Sequence, residues 1–142
     1  MKKIDVYGVC NPLIDLLCHI PDEFLQQWDL EKNRMYLVST DRQHSILKEL
    51  DNRSLKIEHA AGGSGANTMI GIAQLGGHSA FTGKIGFDPR GDQYRNDLED
   101  KGVIAALGAG EGMTGSSLIL VSNDGSRTVS YTHLTLPTNR EV

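Results

Sequence analysis

The apolar residues of this chain alternate between the spacing of strands and the spacing of helices. Short runs rich in β-branched and aromatic residues predict five strands, at residues 4–9, 35–39, 55–60, 79–85 and 102–107. The later segment "SSLILVSNDGSRT" predicts a hairpin in which Asp124 and Gly125 form a type I′ turn. No element is predicted for "NPLIDLLCHI", which follows the first strand.

Helical spacing occurs between these strands. A short helix is predicted from Asp22 to Gln27, after Pro21, and a longer one from Thr40, which has capping-box spacing to Gln43. The apolar face of the longer helix contains Ile46, Leu47 and Leu50. Beyond the glycine-rich loop, the helical repeat of Ala66, Met69, Ile70 and Ala73 predicts a third helix, which Ser64 can cap and Gly76–Gly77 terminates.

A fourth helix is predicted where Asp88 can cap the chain, with Pro89 at the first helical position and an end near Gly102. Strands that alternate with helices predict an α/β fold with a mainly parallel sheet. The hairpin and the strand at 35–39 fit this alternation poorly. We therefore assign them to a separate small β layer.

Composition and charge narrow the range of functions. The chain has 142 residues, of which 39% are hydrophobic and 23% charged, as expected for one soluble globular domain. Its net charge of −4 argues against a nucleic-acid partner. The sequence contains no apolar run long enough to predict a membrane span, and Asp5 and Tyr7 interrupt any signal-peptide core. Cys10 and Cys18 lack metal-binding spacing, so we expect reduced thiols and a cytoplasmic protein.

The end of the chain, residues 129–142, is interpreted separately from residues 1–128. The string "VSYTHLTLPT", which begins at Val129, resembles a translated transposase-type sequencing adapter. We therefore predict that residues 129–142 are a non-native tail without a strand pattern that fits what precedes them. A genuine C-terminal strand is the alternative. The codons of the gene distinguish the two origins.

The glycine-rich stretch "HAAGGSGANT" raises the question of phosphate binding, but the chain does not match either of two common phosphate-binding motifs. The Rossmann fingerprint lacks its third glycine after Gly63 and Gly65, and the residues around Lys84 do not satisfy the Walker A pattern. A second glycine-rich segment, "GAGEG" at 108–112, precedes a hairpin instead of a helix and is interpreted as a linker. Neither stretch therefore carries a standard nucleotide-binding motif.

Two polar clusters are candidate ligand groups. Asn67 lies in the first turn of the third helix, and an amide that both donates and accepts suits a hydroxyl better than a phosphate. Asn11 and Asp15 follow the first strand, where open α/β sheets bind ligands, and a carboxylate can accept hydrogen bonds from two sugar hydroxyls. The structural alternatives are helix capping at the loop, and a turn at Asn11 with a solvated Asp15.

Several of these segments together resemble a known family. "GVCNPLID", "AGGSGANT", "LGG", "GKIGFDPRGD", "MTG" before a strand and "NDGSRT" occur in the order seen in the ribokinase-like (PfkB) sugar and nucleoside kinases. Met69 departs from that pattern, because many sugar kinases have a small residue there. The variants "NPLID" and "GGSGANT" look most similar to adenosine kinases. The resemblance covers residues 1–128.

The resemblance implies a doubly wound, mostly parallel sheet with a small β lid. It implies that the chain is the N-terminal, substrate-binding part of a kinase that phosphorylates a primary hydroxyl of a nucleoside or sugar. Asp15 is then expected to bind the ribose diol beside Asn11, and Arg127 to approach the transferred phosphoryl group. The sugar hydroxyls are expected to be held from the other side by Gly62, Gly63, Ser64 and Asn67. The lid is also the candidate surface for a homodimer.

The resemblance further implies ATP and Mg as cofactors and a catalytic aspartate in a downstream D-T-x-G-A-G-D motif. The segment "LGAGEG" imitates that motif but lacks its leading Asp-Thr pair. We therefore assign no catalytic residue and no metal ligand in this chain, and we expect the chain alone to be inactive.

Three other functions stay open. A fructokinase-like or ribokinase-like specificity is the alternative within the family, and Met35, Leu37 and Leu118 suit either a nucleobase or a lid core. A non-catalytic small-molecule binding module is an alternative outside it. A dinucleotide-binding domain is disfavoured by the missing third glycine.

Overall fold

A computed structural model describes residues 3–132, which form two compact units. Among these residues, the first unit contains 3–14 and Ala61–Gly115, and the second contains Asp15–Ala60 and Ser116–Thr132. In chain order the elements are β1 (Val6–Val9), β2 (Leu13–His19), α1 (Asp22–Gln27), β3 (Met35–Leu37), α2 (Thr40–Asn52), β4 (Ile57–Gly62), α3 (Ser64–Gln74), β5 (Ser79–Thr82), β6 (Lys84–Gly86), α4 (Pro89–Asp100), β7 (Ile104–Ala105), β8 (Gly108–Gly110), β9 (Ser116–Val121) and β10 (Arg127–Thr132).

The first unit has a parallel sheet with the strand order β1-β5-β7. Helix α3 packs against β1 and β5, and its buried residues Ala66, Met69 and Ile70 are those that the helical spacing predicts. Phe81 of β5 and Tyr94 of α4 are fully buried, with their ring centroids 6.0 Å apart. A separate parallel pair, β6 and β8, completes the unit. The predicted α/β fold with parallel pairing is confirmed.

The second unit consists of strands in the order β3-β10-β9-β2-β4 together with helices α1 and α2. Strand β10 pairs antiparallel with β9, as the predicted hairpin requires, and parallel with β3. Ile46, Leu47 and Leu50 of α2 are buried, as predicted. The buried amide of Gln43 donates hydrogen bonds to the carbonyls of Ser116 and Ser130, which fixes α2 to both strands of the hairpin. The hairpin and the strand at 35–39 share one sheet, as predicted, but β2 and β4 belong to it as well.

Strand β2 is an element that the sequence analysis did not predict. Its residues alternate between buried and partly exposed, with Leu16 and Cys18 fully buried and Asp15 and Leu17 partly exposed. The alternation is hidden in the sequence because both faces carry leucine. Asp15 therefore lies within a strand.

Three local predictions differ from the structure. Ser39, and not Thr40, caps α2, because its hydroxyl accepts a hydrogen bond from the Arg42 N–H. The predicted strand at 79–85 is divided at Gly83, where a Cβ would collide with the Cys10 carbonyl. The hairpin turn is not type I′, because Gly125 has a positive φ of 81° whereas Asp124 does not.

The other glycine-rich segment and the end of the chain also need correction. Gly108–Gly110 form strand β8 and are not a linker. Val129–Thr132 continue β10 with residues that favour strands, so the expectation that they lack a fitting strand pattern is wrong. Their adapter origin stays a prediction, and residues 133–142 lie outside the described residues. None of the helices within residues 3–132 has the length and apolar character that crossing a bilayer requires.

Asp88 connects the start of α4 to the segment before β9. As predicted, it caps the helix: its carboxylate accepts from the Gly91 N–H at 2.8 Å, and Pro89 occupies the first turn. It also accepts from the Thr114 N–H and hydroxyl, both at 2.7 Å. Burial opposes ionisation of Asp88, but these hydrogen bonds outweigh it and hold the pKa below its usual range.

We predict that Asp88→Ala lowers the free energy of unfolding by about 2–3 kcal/mol, because it removes a helix cap and leaves the Thr114 N–H without its partner. Chemical denaturation at neutral pH measures this loss. Because the folded-state pKa is lowered, the contribution of Asp88 is complete above the ordinary aspartate pKa and is lost as the pH falls from there through the lower folded-state pKa. Asp92→Ala, in the same helical turn, is the control, and an equal loss there would contradict the prediction.

Candidate substrate-binding site

The glycine-rich loop follows β4 and leads into α3, and from Ala61 onward it belongs to the first unit. Gly63 has a φ of 89°, a conformation that side chains disfavour. A Cβ on Gly63 would lie 3.7 Å from the Asn11 carbonyl oxygen, so the loop lies against the segment that follows β1. A Cβ on Gly65 would collide with the Cys10 side chain. The structure therefore brings Asn11 and Gly63 together at the carboxyl end of β1.

The start of α3 is free of side-chain caps. Gly63 occupies the cap position and Ser64 is the first helical residue, so the predicted capping role of Ser64 is wrong. The exposed side chains of Ser64 and Asn67 make no hydrogen bonds within the part of the chain that the structure describes. The first turn thus presents main-chain N–H groups, a hydroxyl and an amide to a ligand.

The second unit contains a cavity of about 300 Å³ that includes the other two candidate residues. Asp15 projects from β2 and Arg127 from the start of β10. The cavity is lined by Asp15, Leu17, Glu58, His59, Ala60, Ile119 and Arg127. This volume lies at the lower end of the range typical of small-molecule sites. Asp15 and Arg127 therefore share one concave site, and both belong to the second unit.

Asp15 is half-buried and has no hydrogen-bond or ion-pair partner among residues 3–132. Burial raises the pKa of its carboxyl group above the usual aspartate value, because the charged form loses part of its hydration. The alternative of a fully solvated Asp15 is therefore wrong. An incompletely hydrated carboxylate without a partner is well suited to accept hydrogen bonds from ligand hydroxyls.

The other charged side chains of the cavity, Arg127 and Glu58, differ in whether they are free to contact a ligand. The main-chain N–H of Arg127 donates to the Asn33 side chain at 3.3 Å, while its guanidinium makes no ion pair within the described range. Glu58 is paired with Lys56 at 2.9 Å, and that hydrogen bond lowers the Glu58 pKa. Arg127 is thus available to a ligand, and Glu58 is largely occupied.

Two features of the described residues bear on the expected ATP and magnesium cofactors. Among them, no three His, Cys, Asp or Glu side chains cluster in a way that could hold a metal ion. The glycine-rich Gly108–Gly110 segment forms a strand and opens no helix toward an anion. Where ATP and Mg bind stays a prediction.

Comparison with known proteins identifies the family. Residues 31–134 match the family described as pfkB family carbohydrate kinase. The chain belongs to the pfkB family. The matched range includes most of the second unit and both sides of the glycine-rich loop. The expected relation to ribokinase-like kinases is therefore confirmed, and kinases of this family use ATP and Mg.

Curated relatives of this pfkB-family chain include both nucleoside and sugar kinases. Adenosine kinase 2 of Arabidopsis thaliana is 31% identical over 99 residues, which cover 68% of this chain and 28% of that protein. The fructokinase of Escherichia coli is 38% identical over 88 residues, which cover 61% of this chain and 28% of that protein. The chain thus spans less than a third of the length of these relatives.

Solved structures show the same fold over most of the described residues. Adenosine kinase from Sinorhizobium meliloti matches with a TM-score of 0.74 and 31% identity, over 92% of this pfkB-family chain and 39% of that one. Adenosine kinase from Schistosoma mansoni, solved with adenosine, matches with a TM-score of 0.76 and 25% identity, over 89% and 37%. The ribokinase-like fold is confirmed for the part that this chain spans.

Strand β4 contributes two cavity residues that are not among the predicted site residues. They are Glu58 and His59, close before the glycine-rich turn, where the sequence pattern predicts only a strand. Their signal was available, because a strand that leads into a ligand loop places its last side chains near the ligand. Leu17 and Ile119 were not identifiable, since nothing in their local sequence distinguishes a cavity wall from a core.

We predict that Asp15→Asn raises the melting temperature at neutral pH. The folded-state pKa of Asp15 is raised, so the folded protein retains this proton longer than the unfolded chain and loses stability as the pH increases through that pKa. Melting curves of both proteins between pH 3 and pH 8 measure the effect. The difference should vanish at the acid end. A melting temperature below that of the wild type at neutral pH would contradict the prediction.

Proposed function

We propose that this chain binds the acceptor substrate of a pfkB-family kinase, and that the acceptor is a nucleoside such as adenosine. The observation that carries the proposal is the half-buried carboxylate of Asp15, without a partner among residues 3–132, in a cavity shared with Arg127. A carboxylate in this state suits the adjacent hydroxyls of a ribose. The adenosine complex of the Schistosoma mansoni relative supports the same substrate class.

The proposed reaction is transfer of the γ-phosphoryl group of ATP to a primary hydroxyl of the bound sugar. In this proposal Asp15 orients the sugar through its hydroxyls, and Asn67, Ser64 and the Gly62–Gly63 main chain contact the sugar as well. Arg127 would approach the transferred phosphoryl group. These residues bind and orient the substrate, which is the larger part of catalysis in phosphoryl transfer.

One apolar face of the five-stranded sheet in the second unit supports a nucleoside over a simple sugar as the acceptor. Strand pairing places Met35 and Ile119 on the same face as Val129, and Ile119 lines the cavity. Met35 is 69% exposed, so it can pack against a nucleobase. Leu118 is fully buried and is a core residue, which excludes it from such a contact.

A sugar such as fructose is the second candidate acceptor. The 38% identity to the Escherichia coli fructokinase favours it, and this exceeds the identity to the Arabidopsis adenosine kinase. Both acceptors carry a primary hydroxyl and adjacent secondary hydroxyls, so Asp15 serves either. The apolar face then discriminates, because fructose has no aromatic base for Met35 to cover.

The exposed side chains of the edge strand β3 also support a homodimer formed through the lid. Met35 and Leu37 are 69% and 64% exposed on a strand with one free edge. Cytoplasmic location is part of the same proposal, and it agrees with the two free cysteines. Sedimentation of the wild type and of Leu37→Glu tests the dimer, which the charged variant should dissociate.

We predict that the chain binds adenosine in calorimetry, and binds fructose more weakly or not at all. Asp15→Asn should weaken adenosine binding about tenfold or more, since it replaces the acceptor of two hydroxyl hydrogen bonds by an amide. Asp22→Asn, on α1 in the same unit, is a matched control that should bind normally. Adenosine binding that is unaffected by Asp15→Asn would overturn the assignment of this cavity.

We also expect the 142-residue chain alone to transfer no phosphate from ATP to adenosine, because the catalytic aspartate implied by the family resemblance has no counterpart in it. A radiolabelled phosphoryl-transfer assay measures this. Detectable turnover that Asp15→Asn abolishes would contradict the expectation while leaving the acceptor site intact.

A further inference from the structure

Helix α4 contacts the main chain just before the glycine-rich loop. The Asp97 carboxylate accepts a hydrogen bond from the Ala61 N–H at 2.9 Å. One helical turn earlier, the fully buried Tyr94 donates its hydroxyl to the Gly62 carbonyl at 3.3 Å. The last two residues of β4 are thus held by two side chains of one helix, and all four residues lie in the first unit.

The main chain at this point needs such partners. Strand β4 is the outer strand of its sheet, so its outward N–H and carbonyl groups have no neighbouring strand. Ala61 and Gly62 are nevertheless buried, and buried main-chain groups without partners are costly. Asp97 and Tyr94 supply one acceptor and one donor there. They act where β4 turns into the loop.

The helix that provides these contacts is itself firmly placed. Asp88 fixes its first turn to Thr114, and a Cβ on Gly91 would come within 2.7 Å of the Gly86 carbonyl oxygen, which shows how closely α4 approaches β6. A side chain on such a helix can hold a loop in a defined position better than another loop could. Fixed geometry matters here because the loop has only glycine at its turn.

We propose that Asp97 is a positioning residue that sets the Gly62–Gly63 main chain for binding of the acceptor substrate. The inference rests on the proposed function, since it assigns Asp97 a role in that same site. Asp97 acts through the Ala61 N–H and does not itself contact the substrate. This role requires an oxygen that accepts the hydrogen bond from the Ala61 N–H, and it does not require a negative charge.

Three variants test this proposal. Asp97→Ala removes the acceptor, Asp97→Asn keeps an oxygen in the same place, and Glu99→Ala removes an exposed carboxylate from the same helix as a control for charge. Calorimetry measures the dissociation constant for adenosine. Hydrogen–deuterium exchange of the unliganded chain measures the exchange rates of the main-chain amides of residues 61–67. Thermal melting checks that each variant folds.

We expect Asp97→Ala to raise the dissociation constant about tenfold and to accelerate exchange at residues 61–67, because a small displacement of a binding loop is costly. Asp97→Asn should restore both quantities to near the wild-type values, and Glu99→Ala should change neither. Equal binding by Asp97→Ala and the wild type, or an Asp97→Asn variant as weak as Asp97→Ala, would overturn the proposal.

Failure of the proposed function has a different signature. If the wild type binds neither adenosine nor fructose, the acceptor-site assignment fails, and the exchange data alone decide whether Asp97 positions the loop. Faster exchange confined to residues 61–67 in Asp97→Ala supports the positioning role. Unchanged exchange, or acceleration spread over the whole first unit, contradicts it.

Discussion

The first unit depends on a steric constraint at the carboxyl ends of β1 and β5, where main-chain segments approach too closely for side chains. Gly65 lies against the Cys10 side chain, and Gly83 lies against the Cys10 carbonyl and Pro12. Gly63 adopts a φ of 89° between them. Together these contacts fix the course of the loop into α3, and they explain why its turn is built from glycine. The exposed groups at the start of α3 are positioned by this packing.

Two aspartates of this protein differ in what surrounds their carboxylates. Asp88 receives hydrogen bonds from Gly91 and Thr114, which lower its pKa and stabilise the fold. Asp15 has no such partners within the described residues, and burial raises its pKa. A protein gains no stability from a half-buried carboxylate without a partner. Such a group is therefore a candidate for function, which is the usual relation between strain and activity at binding sites.

Much of the fold could be predicted because its signals are local. Asp88 and Pro89 mark the start of α4, and the bounds of α1 follow from Pro21 and the polar residues after it. Strand β2 could not be predicted, since leucines occupy both of its faces and conceal the alternation. Of the residues that line the cavity, Asp15 was a candidate from its position after the first strand and Arg127 from the family resemblance. Glu58 and His59 join them because β4 pairs with β2, which the local sequence does not indicate.

The electrostatic surroundings of the glycine-rich loop bear on which ligand it accepts. Phosphate-binding loops combine free main-chain N–H groups with nearby cations. Here the N–H groups at the start of α3 are free of side-chain caps, but no Lys or Arg occurs between Lys56 and Lys84 in the sequence. The Asp97 carboxylate, moreover, hydrogen-bonds the Ala61 N–H two residues before the turn. A negative charge so close to the loop opposes an anion by Coulomb repulsion and leaves a neutral hydroxyl unaffected. These surroundings favour a neutral ligand over an anion at the loop, which agrees with the proposed acceptor sugar.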